Sequence, residues 1–353
     1  MKIKRIIIEE LEIPFKHTFS HASATRNKTE AILVTVESEN GFIGYGEGCP
    51  RNYVTGETIQ TTKIFFADHK DEIINMYHLD DIKEWINNNH QVIDRNPAAW
   101  CAIELALLDV LAQEARISIE SLLSLDELSG RFQYTAILGS SNITSYFKQL
   151  QQYMHAGFQD YKIKISGQFN DDKQKINALI GLENDIRVRL DANNFWDNAE
   201  QAIEYIITLN YPFFAIEEPL KPFDYNGCRN IMDKINIPII LDESFLKIQQ
   251  FCNISIDPQT WVINLRISKM GGILRSLSIT EQAKKYNIPI IIGAQVGETS
   301  ILTRAALTVA NSYRGIIIAQ EGAFGTHLLE YDIIEESIMF GNNGILQIES
   351  AEK

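Results

Sequence analysis

The stretch IRVRLDANNFWDNAEQAIEYIITLNYPFFAIEEP, residues 186–219, predicts the fold of this chain more directly than any other. A β-rich run, residues 186–190, ends at Asp191, and a second run, residues 213–216, ends at Glu217 and Glu218. A helical pattern lies between the two runs. Two strands joined by a helix are typical of the repeating unit of a parallel α/β sheet.

The same alternation extends to both sides of this unit. Eight β-rich runs follow one another from about residue 130, most of them separated by about 25 residues: 134–138, 161–165, 186–190, 213–216, 237–241, 261–265, 288–292 and 315–319. This spacing predicts an α/β fold, a TIM-type (β/α) barrel that is slightly shorter than the usual ~250 residues. A doubly wound open sheet is the alternative, but it needs fewer strands or a Gly-rich phosphate turn.

The first part of the chain has a different pattern, with strands first and helices after them. Residues 3–13 and 31–37 resemble strands, and Asn40-Gly41 is a hairpin turn signal. Apolar side chains at helical spacing follow Pro97. We therefore predict an N-terminal α+β capping domain over residues 1–128 and a barrel over residues 129–328. The tail, residues 329–353, is expected to return to the capping domain.

Composition limits the classes of partner and compartment. The 353 residues carry a formal net charge of -14, which argues against a nucleic-acid or anionic-membrane partner. Four scattered cysteines are expected to be free thiols. The charged, strand-like start does not resemble a signal peptide, and the apolar runs are too short to span a bilayer. A cytoplasmic protein is the prediction.

Acidic side chains end three successive strands of the predicted barrel. Asp191, Glu217 and Asp242 follow the third, fourth and fifth β-rich runs, and strand ends of this kind meet at the catalytic mouth of a barrel. Three close carboxylates repel one another unless a cation lies between them. Oxygen ligands favour Mg²⁺ or Mn²⁺. Any one of these acids could instead cap a helix.

Lysines flank the acidic residues on both sides. Lys162 and Lys164 point to the same side of their strand, and their mutual repulsion is expected to lower the lysine pKa. Lys269 follows the sixth strand. A cation that chelates a substrate carboxylate stabilises the enediolate formed when an α-proton is removed, and a lysine on each face can exchange that proton. The alternative is that these lysines are solvated.

Taken together, the motifs resemble those of the enolase superfamily, in its mandelate racemase/muconate lactonizing enzyme family and muconate cycloisomerase subgroup. The matching elements are Lys162-x-Lys164, Asp191-Ala192-Asn193, Glu217-Glu218-Pro219, Asp242-Glu243-Ser244, and Lys269 before Gly271-Gly272. The resemblance covers nearly the whole chain, including the capping domain.

The resemblance implies a role for each of these residues. Asp191, Glu217 and Asp242 would hold Mg²⁺, with Glu218 as the second choice for the glutamate. Lys164 and Lys269 would be the acid/base pair, and Lys162 would tune Lys164. The family also implies a homo-oligomer and a small-molecule carboxylate substrate.

The resemblance leaves the reaction open. Residues 264–273 look most like a dipeptide epimerase, which implies an isomerase that epimerises or racemises a dipeptide or an N-acyl amino acid. Dipeptide epimerases carry Asp-x-Asp after the eighth strand, whereas here only Glu321 is acidic. A cycloisomerase or an o-succinylbenzoate synthase-type dehydration is the alternative. A Schiff-base lyase using Lys162 or Lys164 is a third.

Substrate contacts are expected from loops of the capping domain and from the barrel mouth. Arg26 or Arg51 could clamp a distal carboxylate, although loop arginines are often solvated. The remaining candidates are Tyr53, Arg266, Glu298 and Glu321.

Overall fold

The second part of the chain forms an eight-stranded barrel in the computed structural model, which describes residues 1–21, 24–139, 142–180 and 186–349. Every neighbouring pair of strands is parallel. The backbone N–H of Thr135 donates to the carbonyl of Gln320 at 2.8 Å, which joins the two edges. This architecture confirms the predicted fold class. The strands are β7 (Ala136–Leu138), β8 (Asp160–Lys164), β9 (Arg187–Asp191), β10 (Ala215–Glu217), β11 (Ile239–Leu241), β12 (Trp261–Leu265), β13 (Ile290–Ile292) and β14 (Ile317–Gln320).

Helices connect successive barrel strands. Each helix buries an apolar face and leaves its polar face outside. On the first helix, for example, Tyr146 and Leu150 are buried. In the described residues no α-helix follows β14, and the chain there makes only short 3-10 turns. The helices are α6 (Ile143–His155), α7 (Phe169–Ile180), α8 (Ala199–Leu209), α9 (Tyr225–Ile235), α10 (Phe251–Ile254), α11 (Ile267–Met270), α12 (Ile273–Tyr286) and α13 (Ser300–Ser312).

The N-terminal part combines a small antiparallel sheet with helices. Strand β4 pairs with both β1 and β5, and the turn between β4 and β5 contains Asn40 and Gly41, as predicted, with Gly41 at φ 85°. A separate hairpin joins β2 to β3. The elements are β1 (Ile3–Leu11), β2 (Pro14–His21), β3 (Ala24–Lys28), β4 (Ala31–Ser38), β5 (Ile43–Gly48), α1 (Ile59–Ile73), α2 (Leu79–Asn88), α3 (His90–Arg95), α4 (Pro97–Ala115) and α5 (Ile119–Leu122).

Two buried glutamates of the N-terminal part bind the starts of barrel helices. Glu47, on β5, accepts hydrogen bonds from the backbone N–H and the hydroxyl of Thr299, at the start of α13. Glu104, on α4, accepts one from the backbone N–H of Leu274, at the start of α12. Both carboxylates are fully buried. Because the first backbone N–H groups of a helix lack partners within it, these contacts tie the two parts together.

The tail contacts both parts of the molecule. Leu329 forms a bridge with Phe15, and the backbone N–H of Glu330 donates to the carbonyl of Pro14. Strand β15 (Ile345–Ile348) pairs with β6 (Gly130–Gln133), which precedes the barrel. The division at residue 128 stays a prediction. None of the helices in the described ranges combines the length and the apolar character that a membrane span needs.

Candidate active site

The carboxyl ends of the barrel strands surround a small polar cavity of about 70 Å³, called here the reacting cavity. The charged side chains that line it come from five different strand ends: Lys162, Lys164, Asp191, Glu243, Arg266 and Glu321. Tyr53 and Val296 also line it. The structure therefore brings many of the candidate residues together at one place.

Lys162 lies between three buried carboxylates. Its Nζ is 3.4 Å from Asp191 Oδ2, 3.1 Å from Glu217 Oε2 and 3.0 Å from Glu321 Oε1. Asp191 and Glu217 are partners in the register of β9 and β10, so their side chains leave the sheet at the same level. Lys164, two residues further along β8, places its Nζ 3.5 Å from Asp191 Oδ2. The alternation along β8 thus turns both lysines to the same side of the strand, where both contact Asp191.

Glu217 and Glu218 have different surroundings. Glu217 accepts a hydrogen bond from Asn264 Nδ2 at 2.9 Å and faces Lys162. Glu218 has φ 40° and accepts hydrogen bonds from the backbone N–H groups of Asp242 and Ser244 at 2.6 and 2.7 Å. Glu218 therefore fixes the loop after β11, and Glu217 is the glutamate that lies beside Asp191.

Asp242 is paired with two cationic side chains from the far side of the acidic set. Lys269 Nζ donates to Asp242 Oδ1 at 2.8 Å and to the carbonyl of Asn264 at 2.8 Å. Arg266 also donates to the carboxylate of Asp242, and its second nitrogen bonds Gln295 Oε1 at 3.1 Å. Lys269 is fully buried. Lys164 and Lys269 thus lie at opposite ends of the row of strands that carries Asp191, Glu217 and Asp242.

The three acids predicted as metal ligands are paired with cationic side chains in this structure. In the part of the chain that the structure describes, no three His, Cys, Asp or Glu side chains are arranged so that they could hold a metal ion. Buried carboxylates require opposing charge, and here Lys162 supplies it to Asp191 and Glu217, whereas Arg266 and Lys269 supply it to Asp242. The set still fits Mg²⁺ in donor chemistry, because neighbouring strand ends offer three carboxylates.

The lysine pKa values differ from the expectation. Burial alone would lower the pKa of Lys162, but the surrounding carboxylates, Glu217 first, raise it above its ordinary value. The predicted fall is therefore wrong for Lys162, because three carboxylates surround its ammonium group. Burial, reinforced by the Arg266 guanidinium, lowers the pKa of Lys269 to about 7. A lysine with a pKa near neutral is an effective base.

Glu321 is already bound by two cations. Arg189, which is fully buried, donates to its Oε1 at 2.6 Å, and Lys162 contacts both of its oxygens. Burial opposes ionisation of Glu321, but Lys162 and Arg189 hold its pKa far below the usual range. The substrate role predicted for Glu321 stays untested, although its carboxylate is engaged inside the protein.

The other predicted substrate residues occupy varied positions. Arg51 is buried and donates to the backbone carbonyls of Glu30 and Val296, both at 2.7 Å. Arg26 bonds Glu30 and lies over the ring of Tyr53, its guanidinium carbon 5.4 Å from the centroid. Neither arginine is among the described residues that line the reacting cavity, whereas Tyr53 and Arg266 are.

Glu298 is buried beside the mouth of the barrel. Its Oε1 accepts the backbone N–H of Gln295 at 2.6 Å. Burial raises the pKa of Glu298 to about 8. This position supports the loop after β13, since Gln295 lines the reacting cavity and Glu298 itself does not.

The sequence analysis gave no role to three polar residues of this site. Glu243 lines the cavity, and its Oε2 is buried with no hydrogen-bond partner. Asn264 binds Glu217, and Arg189 neutralises Glu321. Arg189 and Asn264 lie within β9 and β12. The sequence did contain a signal for Arg189 and Asn264. Each is a polar side chain inside a strand of apolar residues, and a buried polar group needs a hydrogen-bonding or charged partner.

Comparisons with known proteins agree with this architecture. Residues 3–124 match the family model for the mandelate racemase/muconate lactonizing enzyme N-terminal domain, and residues 145–350 match the enolase C-terminal domain-like model. A hydrophobic dipeptide epimerase from Enterococcus faecalis is 29% identical over 92% of each chain. An L-Ala-D/L-Glu epimerase from Francisella tularensis subsp. novicida is 28% identical over 90% of this chain and 89% of its own.

A solved structure is similar over almost its whole length. The dipeptide epimerase from Enterococcus faecalis V583, complexed with Mg and the dipeptide L-Leu-L-Tyr, has a TM-score of 0.86 at 28% identity, covering 99% of this chain and 98% of that one. The two family models together match the N-terminal part and the barrel of this chain. The chain belongs to the mandelate racemase/muconate lactonizing enzyme family of the enolase superfamily.

Proposed function

We propose that this protein is a Mg²⁺-dependent isomerase that removes and returns the α-proton of a small carboxylate, epimerising or racemising a dipeptide or an N-acyl amino acid. Dipeptide epimerases among its relatives and an Mg-containing neighbour support this proposal. Mn²⁺ could replace Mg²⁺ at an oxygen site. A cytoplasmic homo-oligomer remains the expectation.

One observation carries the proposal: an amine lies at each end of the acidic set. Lys164 Nζ contacts Asp191 on the β8 side, and Lys269 Nζ contacts Asp242 on the β12 side. Inversion at a carbon requires a proton to leave one face and another to arrive on the opposite face. Two amines that approach from opposite sides meet this requirement, whereas a dehydration needs only one.

The remaining residues support these two lysines. Asp191, Glu217 and Asp242 would hold the cation, which stabilises negative charge developing on the substrate carboxylate. Lys162 contacts Asp191, as Lys164 does, and so balances charge beside the proposed base. Asn264 orients Glu217, and its backbone carbonyl orients Lys269. The burial of these groups excludes water and strengthens each interaction.

Proton exchange in D₂O tests the proposal. The purified protein is incubated with Mg²⁺ and a library of dipeptides and N-acyl amino acids, and α-deuteration and inversion are followed by mass and NMR. We expect both with at least one substrate, loss of both in EDTA, and recovery on adding Mg²⁺. A product lighter by one water would indicate dehydration instead. A borohydride-trapped adduct with EDTA-resistant turnover would favour a Schiff base.

A further inference from the structure

Cationic side chains occupy both oxygens of the Asp242 carboxylate. Lys269 Nζ donates to Oδ1 at 2.8 Å, and the guanidinium of Arg266 donates to Oδ2. Because the carboxylate is buried, its charge is stable only beside a cation. A divalent cation that binds Asp242 needs at least one of these oxygens, so one of the two side chains must give up its contact.

Lys269 is the more firmly held of the two side chains. Its Nζ donates to the backbone carbonyls of Asp242 and Asn264, at 2.7 and 2.8 Å, as well as to Asp242 Oδ1. These three contacts use every N–H of the ammonium group, and Lys269 is fully buried. Movement away from Asp242 would leave a buried ammonium group without its hydrogen bonds, which is costly.

Arg266 is held by fewer contacts. Besides Asp242, its guanidinium donates to Gln295 Oε1 at 3.1 Å, and its buried Nε has no hydrogen-bond partner within the described ranges of the chain. At least one of its N–H donors is therefore unused. Arg266 also lines the reacting cavity. Its guanidinium thus borders open space into which it can turn.

We propose that Arg266 is a displaceable counter-ion of Asp242, and that its guanidinium turns into the reacting cavity when Asp242 takes a divalent cation. Asp242 is not among the described residues that line this cavity, whereas Arg266 is, so the movement also opens Asp242 to it. Lys269 keeps its three contacts. The inference rests on the proposed function, because it requires a metal site at Asp242, and it adds a residue that competes with the metal ion for a ligand.

Electrostatics makes the two partners of Asp242 exclude each other. A guanidinium and a divalent cation bound to one buried carboxylate would repel each other strongly. Arg266 therefore weakens the binding of the metal ion, and by linkage the metal ion weakens the contact of Arg266 with Asp242 by the same factor. Each direction of this coupling has its own measurement.

The affinity for Mg²⁺ alone tests the competition. Calorimetric titration of the substrate-free protein with MgCl₂ gives the Kd of the natural protein and of each variant. We expect Arg266→Gln to lower this Kd at least ~10-fold, because the charge that competes at Asp242 is removed. Arg266→Lys keeps a cation there, so its Kd should stay above that of Arg266→Gln. Arg229→Gln removes an arginine that pairs with Asp257 and is not among the described lining residues, so it should leave the Kd unchanged.

The chemical reactivity of Arg266 in the natural protein tests the movement. Methylglyoxal modifies arginines, and peptide mapping by mass spectrometry gives the rates at Arg266 and at Arg229, in EDTA and in saturating MgCl₂. Release from Asp242 into the reacting cavity should raise the rate at Arg266 several-fold in MgCl₂. Arg229 stays paired with Asp257 in both conditions, so its rate should not change. This measurement needs no variant, and it therefore does not depend on how Arg266→Gln folds.

The outcomes separate this inference from the proposed function. An Arg266→Gln variant that binds Mg²⁺ no more tightly than the natural protein overturns the inference, and so does a rate at Arg266 that Mg²⁺ leaves unchanged or lowers. Either result leaves the proposed function standing if α-deuteration still requires Mg²⁺. If neither the natural protein nor Arg266→Gln binds Mg²⁺, and no carboxylate exchanges its α-proton, the proposed function itself fails and this inference fails with it.

Discussion

Lys164 and Lys269 have different surroundings, although both are proposed to transfer a proton to or from the α-carbon. Lys164 is partly exposed to the reacting cavity and contacts Asp191 and Asn193. Lys269 is fully buried and held by Asp242 and by the carbonyl of Asn264. Because Lys164 comes from β8 and Lys269 from α11, on opposite sides of the acids, each should face one epimer only.

Replacing each lysine in turn therefore has a stereochemical signature. Lys164→Ala and Lys269→Ala should each lower epimerisation by about 10²–10⁴-fold, as expected when a general base is lost. Each variant should keep α-deuteration of a single epimer, and the two variants should keep opposite epimers. The measurement is deuterium incorporation into both epimers, with the exposed Lys285→Ala as control. If both variants kept α-deuteration of the same epimer, both amines would lie on one face of the substrate.

The start of α12 shows how one element depends on another part of the fold. Its N-cap is Gly272, at φ 98°, which has no side chain to accept the first N–H groups. Glu104, from α4, takes that role by accepting the backbone N–H of Leu274 at 3.0 Å. A Cβ on Gly272 would lie 2.4 Å from Glu104 Oε1. The Gly271-Gly272 pair thus serves the docking of a buried carboxylate.

This arrangement predicts a large cost for a single methyl group. Gly272→Ala combines a positive φ with a clash, whereas Gly41→Ala has φ 85° and nothing within 4 Å of the new Cβ. The strained backbone alone costs ~1–2 kcal/mol. We expect Gly272→Ala to lower the free energy of unfolding by at least ~2 kcal/mol more than Gly41→Ala does, because the new methyl group overpacks the site and displaces the glutamate. Urea unfolding measures both, and equal losses would show that the carboxylate moves aside freely.

At the scale of the whole molecule, the sequence predicted the order of strands and the polar residues at their ends better than it predicted which side chains contact one another. Eight strands and the polar residues at their ends follow from local periodicity, and all eight predicted runs overlap observed strands. The partners of those residues do not follow, because they depend on three-dimensional proximity. Arg266 pairs with Asp242, Arg189 with Glu321, and Glu218 with the loop after β11. Nothing local distinguishes Glu217 from Glu218.

The buried glutamates between the two parts also make stability depend on pH. Burial raises the pKa of Glu47 and of Glu104 from 4.5 to about 7. In this window the folded state binds more protons than the unfolded state, so the free energy of unfolding falls as pH rises through 7. Glu321 stays ionised there, because its pKa lies far below the usual range.

Urea unfolding in EDTA should therefore show that the free energy of unfolding falls by about 1–3 kcal/mol per buried glutamate as pH rises from 5 to 8. Glu104→Gln mimics the protonated side chain, so its unfolding free energy should depend less on pH than that of the natural protein. The two curves should converge toward pH 5, where Glu104 is protonated, and separate toward pH 8. Glu281→Gln, which changes an exposed glutamate of α12, should reproduce the natural curve. A natural protein that gains stability toward pH 8, or a Glu104→Gln variant with the full slope, would mean that Glu104 is ionised at pH 5 and that its contact with α12 is a charged one.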